Sequence, residues 1–150
     1  MATNDLTALT EQFDSLIGKL SASSRRQLSR DIARSLRASQ AQRIKQNIAP
    51  GGSAYEPRKS KLQQRRGAIK RRLMFQKLIR AKWLKASSTA EVAAVGFVGF
   101  ANQVAREHHY GLRSRISQQQ TVQMPKRELL GLTQSEQQNV QDIIIRYLAL

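Results

Sequence analysis

Two adjacent histidines, His108 and His109, with Glu107 beside them, are the residues best suited by type to proton transfer or metal ligation. Their spacing argues against both roles. Neighbouring side chains diverge on any regular backbone, whereas two ligands for one ion need helical i, i+4 spacing or an equivalent turn. No second cluster of Asp, Glu or His stands elsewhere in the sequence to complete such a site. With no cysteine, the chain has no thiol nucleophile, thiolate metal site or disulfide framework. A serine nucleophile would favour a Gly-x-Ser-x-Gly elbow, and none occurs. Gly51-Gly52 lacks the Gly-Lys-Ser/Thr ending of a phosphate loop and reads as a hinge. The expectation is a protein that is not an enzyme and holds no cofactor or metal.

Charge offers a different chemistry. Between Arg58 and Lys85 stand twelve Lys or Arg residues and no Asp or Glu, in a chain whose formal net charge is +16. Such a run either stays solvated or lies against something anionic, a phosphate backbone or an acidic protein face. The candidate contact residues are Arg58, Lys59, Lys61, Arg65, Arg66, Lys70, Arg71 and Arg72. No helix-turn-helix or zinc module is evident to bring side chains to base edges. Aromatics make up 5% of the chain, too few for a platform of stacked bases. Nucleic-acid binding by the 58–85 segment would therefore be sequence-nonspecific phosphate contact.

These residues must be held by elements that the apolar spacing outlines. Leu6, Leu9, Phe13, Leu16, Ile17 and Leu20 recur at helical spacing after a capping Thr3, Asn4 or Asp5, predicting a first helix from about Asp5 to Leu20. After the short break at Ser21 to Ser24, Leu28, Ile32, Leu36 and Ile44 outline a long second helix that ends before Pro50. Arg25, Arg26, Arg30, Arg34, Arg37 and Arg43 are assigned to its outer faces. A short linker between two helices favours an antiparallel hairpin over residues 1–48. Residues 49–67, punctuated by Pro50, Gly51, Gly52 and Pro57, read as a mobile basic loop. The body, 68–150, is expected to open with a short helix over Ala68–Leu78. A two-stranded hairpin would follow, its strands Ile79–Ala86 and Glu91–Phe100 joined at Ser87-Ser88-Thr89. Asn102–His109 reads as a helical turn closed by Gly111, and Leu112–Gln123 as a polar loop with a short strand before Pro125. Thr133 and Glu136, three apart, form a capping box ahead of a last helix marked by Val140, Ile143, Ile144 and Tyr147. The fold class is α+β, a single domain over 1–150 with helices around a small antiparallel sheet. The first residues lack a cationic start followed by an apolar run, and no stretch approaches a membrane span, so a cytoplasmic site of synthesis and no membrane partner are expected.

The succession of segments carries a further signal. Leu6-Thr7-Ala8-Leu9-Thr10, Gly52-Ser53-Ala54-Tyr55-Glu56-Pro57-Arg58-Lys59, Met74-Phe75-Gln76-Lys77-Leu78, Ala105-Arg106-Glu107-His108-His109-Tyr110-Gly111 and Pro125-Lys126-Arg127-Glu128-Leu129-Leu130-Gly131-Leu132 follow in an order that resembles the virion morphogenesis, or tail-completion, family of tailed phages. The resemblance runs along essentially the whole chain. It implies a structural protein that finishes the top of the tail and makes it competent to join a head, working as a ring on the tail axis, six-fold to match the tube. The implied partners are further copies of itself, the tail tube or sheath, neck or connector proteins, and DNA passing through the ring. The implied location is the virion, after assembly in the bacterial host cytoplasm. The matching positions His108, Tyr110, Gly111, Pro125, Arg127 and Gly131 would fix turns: Pro125 stopping a strand, Arg127 bonding backbone or an acidic neighbour, Gly131 giving the conformation needed before the last helix. The doubled histidine departs slightly from the family pattern, which has one aromatic or polar residue before Tyr-Gly.

Overall fold

A computed structural model describes residues 2–57 and 74–149, without the side chains of residues 2–6, 8 and 9. Eight elements follow in order: α1 (Ala2–Gly18), α2 (Ala22–Lys45), β1 (Leu84–Ser88), β2 (Ala93–Phe97), α3 (Phe100–Tyr110), β3 (Arg113–Ser117), β4 (Gln120–Gln123) and α4 (Gln134–Leu148). The fold is α+β, as the apolar periods predict. Its strands form two separate antiparallel pairs, β1–β2 and β3–β4, in place of the one small sheet expected.

α2 is the axis of the molecule. Ser21 caps it, its hydroxyl accepting from the Ser24 amide at 3.1 Å. Its end is set by Asn47, which adopts a left-handed φ of 57°, three residues before Pro50. α2 packs on β1, β2 and α4. Its seam with α4 is antiparallel and polar. Asp31, Ser35 and Ser39, one helical turn apart, meet Tyr147, Asn139 and Glu136 respectively, through Tyr147 donating to Asp31, Asn139 donating to Ser35 (2.6 Å) and Ser39 donating to Glu136 (2.6 Å). The same Glu136 closes the expected capping box, with the Thr133 amide donating to its carboxylate at 2.9 Å and its own amide donating to the Thr133 hydroxyl at 3.1 Å. α1 leads into α2 through a short turn; of the described side chains of its stripe, Leu16 is exposed, and Phe13, Ile17 and Leu20 are half-buried.

Several boundaries differ from the sequence reading. Of the expected mobile loop over 49–67, residues 49–57 form a hydrogen-bonded turn, in which the Ala49 amide donates to Ser53 O (2.8 Å) and the Tyr55 amide to Asn47 O (2.8 Å). The remainder of that loop lies outside the described residues. The described end of the expected 68–78 helix is a string of tight turns, because Phe75 sits at φ 66° and breaks any helix there. The first hairpin strand begins at Leu84 and runs through Ser88, with Leu84 paired to Phe97 and Ser88 to Ala93. The turn falls at 89–92, since the Thr89 hydroxyl accepts from both the Glu91 and Val92 amides at 3.1 Å. α3 spans eleven residues, closed by Gly111, where a short helical turn over Asn102–His109 was expected. The polar 112–123 stretch is a β-hairpin with an irregularity at Ile116.

Candidate functional site

Four of the five sequence segments singled out above converge on one knot beside the C-terminal end of α2. Its apolar part is Ile44, Tyr55, Met74, Phe75, Ala105 and Leu129, all buried in one cluster. The Phe75 ring stands edge-on between Tyr55 (5.7 Å between centroids) and His108 (5.0 Å). That cage holds a bulky residue in the left-handed region, a backbone state that costs roughly 1–3 kcal/mol in isolation. Asn47 ties the same strand of chain down, its side-chain oxygen accepting from the Met74 amide at 3.1 Å.

Two buried arginines bind the knot together through backbone carbonyls. Arg127 donates from Nε to Glu56 O (2.7 Å), from one terminal nitrogen to Pro57 O (3.4 Å) and from the other to His108 Nδ1 (3.1 Å). Arg43 donates to Ile48 O (3.2 Å), Leu129 O (3.0 Å) and Gly131 O (3.4 Å). Tyr55 completes the lattice, its hydroxyl donating to Glu128 O at 3.0 Å. Burial pushes its phenol up to about 12, against a smaller opposing pull from the Arg43 charge. The two histidines serve the same end. His109 Nδ1 accepts from the Leu129 amide at 3.1 Å and His108 Nδ1 faces an arginine donor, so each carries its ring proton on Nε2. They point to different partners, as adjacency requires, and do not converge on one ion. Among the described residues no group of three or more His, Asp or Glu could hold a metal.

The remaining motif positions mark the turns of the knot. Gly111 closes α3 at φ 64°, and a Cβ there would approach Lys126 to 3.2 Å. Pro125 follows the end of β4. Gly131 is not in the left-handed region; a Cβ on it would lie 2.7 Å from the Pro50 ring, so close packing is what excludes a side chain. Tyr110 projects outward, 62% exposed. It lines an open groove of about 640 Å³ between α3 and the 129–131 segment, together with Phe97, Ala105, Arg106 and His109.

The cations proposed for partner contact fall elsewhere. Arg58, Lys59, Lys61, Arg65, Arg66, Lys70, Arg71 and Arg72 all lie outside the described residues. The later part of the run is described, and Lys77, Arg80, Lys82 and Lys85 are all exposed. Arg37 and Arg43 are corrections to the sequence reading, which placed them on the outer faces of the second helix. Arg43 is buried, and Arg37 reaches inward to Leu84 O (2.7 Å) and Ile79 O (3.3 Å). The signal was present in their register: Ala33, Arg37, Gln40 and Ile44 share one helical face, and Arg43 stands seven residues after Leu36.

The likeness to a known protein runs over nearly the whole chain. The chain is 33% identical over 148 residues to the tail completion protein S of Escherichia phage P2, covering 97% of this chain and 98% of that protein. No solved structure matches it. Residues 4–149 match the phage virion morphogenesis family, and with its segments drawn into one fold over that span the chain belongs to this family.

Proposed function

We propose that this protein is a structural component of a phage tail that completes its upper end and enables joining to a head, as a ring of identical subunits on the tail axis. The observation that carries the reading is the end-to-end likeness to a tail completion protein, 33% identical with 98% of that protein covered. The use of the knot residues supports it: Tyr55, His109 and Arg127 bond backbone to fix a shape, the task of an assembly part. In this reading the subunit is made in the host cytoplasm, sits in the virion, and touches further copies, the tail tube or sheath, and neck proteins. Ring subunits meet head to tail and so need two different faces.

The test is electron microscopy of particles made without the protein. Tails that reach full length but stay unattached to filled heads are the expected result. Intact, joined virions from a deletion would overturn the reading. A second reading, sequence-nonspecific DNA contact by the 58–85 segment, is favoured by the exposure of Lys77, Arg80, Lys82 and Lys85. If about half of the run met phosphates, the logarithm of the binding constant would fall with log salt at a slope of about −5. A flat salt dependence removes it.

A further inference from the structure

We infer that α1 of one copy docks into the groove between α3 and the 129–131 segment of a second copy, giving the head-to-tail contact of the ring. The inference rests on the proposed role as an assembly of identical subunits and names the surfaces that would join them. Through Gly18 the chain carries Asp5, Glu11 and Asp14 and no Lys or Arg, although the whole chain is +16. α1 is thus an acidic helix on a cationic body. It is also amphipathic, and its stripe is unfinished: Leu16 is 41% exposed, and among the described residues α1 forms no seam with another element comparable to that of α2 with α4. Seventeen residues of helix reach about 25 Å, enough to enter a neighbour.

The groove offers the complement. Its accessible apolar lining is Phe97 and Leu130, over buried Ala105 and Leu129, and its wall carries Arg106 and His109. Tyr110 at its edge is 62% exposed. An amphipathic helix laid in such a groove buries its stripe on the floor and sets Asp14, beside the stripe, against Arg106. The two surfaces are separate on one subunit. The root of α1, at Ile17 and Gly18, lies by Ala93 at the start of β2, whereas the groove lies by Gly96 and Phe97 at its end. A contact between unlike faces propagates from subunit to subunit, and closes into a ring when the rotation permits.

The chain has no cysteine, which makes disulfide trapping clean. Full-length Leu16→Cys is mixed with full-length Tyr110→Cys under mild oxidation, beside a control in which Arg30→Cys replaces Leu16→Cys. The expected result is a covalent heterodimer at least tenfold above the control, and a ladder of linked oligomers from the double variant. A double variant that links only within itself would show α1 on its own groove and overturn the inference. No heterodimer from a protein that light scattering shows to be oligomeric would overturn the docking while leaving the ring reading intact. A protein that stays monomeric without linkage would overturn the docking too, and the deletion particles would then decide the tail reading separately. Charge reversal gives an independent measurement: Asp14→Lys or Arg106→Glu alone lowers the association constant at least tenfold, and the pair together restores it. Failure of the pair to restore it counts against the contact.

Discussion

Arg43→Met tests whether the buried arginines, more than the apolar cluster around them, hold the segments of the knot in place. Arg43 is 9% exposed and donates to Ile48 O, Leu129 O and Gly131 O at 3.2, 3.0 and 3.4 Å. Hydrogen bonds from a charged group contribute roughly 1.5–3 kcal/mol each, and the bond to buried Leu129 leaves its carbonyl without that partner when removed. Against that stands a relief: Arg43 Nε is itself buried without a partner, and methionine removes this cost of about 1–3 kcal/mol. Two good bonds lost and one unsatisfied donor removed leave a net destabilisation of about 3 kcal/mol. For a chain of this length, that lowers Tm by roughly 6–12 °C. The assay is urea unfolding followed by circular dichroism, with the exposed Arg30→Met as control, expected within about 0.5 kcal/mol of the parent. Arg43→Lys should recover less than half the loss, because an ammonium cannot fork across three carbonyls. Removing Arg43 also withdraws the charge that holds the Tyr55 phenol down, so that phenol should titrate still higher. An Arg43→Met protein within about 1 kcal/mol of the parent, or an Arg43→Lys protein equal to it, would refute the staple.

Tyr55, raised to about 12 from an ordinary value near 10, keeps its proton more tightly folded than unfolded. Its contribution is therefore complete below pH 10 and is lost as pH rises towards 12, by up to about 2–3 kcal/mol. The urea midpoint of Tyr55→Phe should fall less than that of the parent between pH 9 and 11, and parallel curves would refute the assignment. Gly131→Ala drives a Cβ to 2.7 Å from the Pro50 ring, an overpacking that costs roughly 1–3 kcal/mol. Pro50→Ala in the same chain should restore most of it, whereas Gly96→Ala, with open space around it, should be neutral or mildly stabilising in thermal melts.

How far the sequence could be read depends on what each element packs against. α4 was legible because its start is a local device, Thr133 with Glu136, and its apolar stripe faces one way. α2 was legible for the same reason, but its arginines were sorted by residue type and not by register, which hid Arg37 and Arg43. The β3–β4 hairpin gave no alternating signal, since its residues are mostly polar and exposed and only the Ser114–Val122 pair is half-buried. The turns at 74–83 could not be read locally. Phe75 is left-handed only because Tyr55 and His108 cage it, and those contacts span 20 and 33 residues of chain. The knot was likewise visible as an order of segments and invisible as a place. Nothing near Arg127 in sequence says that its guanidinium reaches Glu56 and Pro57.

The cations of this chain divide by what they bond, and the division bears on the subunit contact inferred above. Arg37, Arg43 and Arg127 spend their donors on backbone carbonyls, so they stabilise the fold and are not offered to a partner. What is offered is the exposed remainder, with Lys77, Arg80, Lys82 and Lys85 among it. Ten acidic side chains cannot neutralise twenty-six basic ones, so copies brought together repel one another unless each contributes negative charge where it touches the next. The stretch that precedes Lys19 carries three acidic residues and no Lys or Arg. Docked on a neighbour, it lowers the repulsion at the seam and leaves the rest of the positive surface unmatched. Subunit association should then tighten when salt screens the general repulsion and weaken when higher salt screens the seam itself. Uniformly like-charged surfaces joined only by apolar contact would instead tighten steadily with salt.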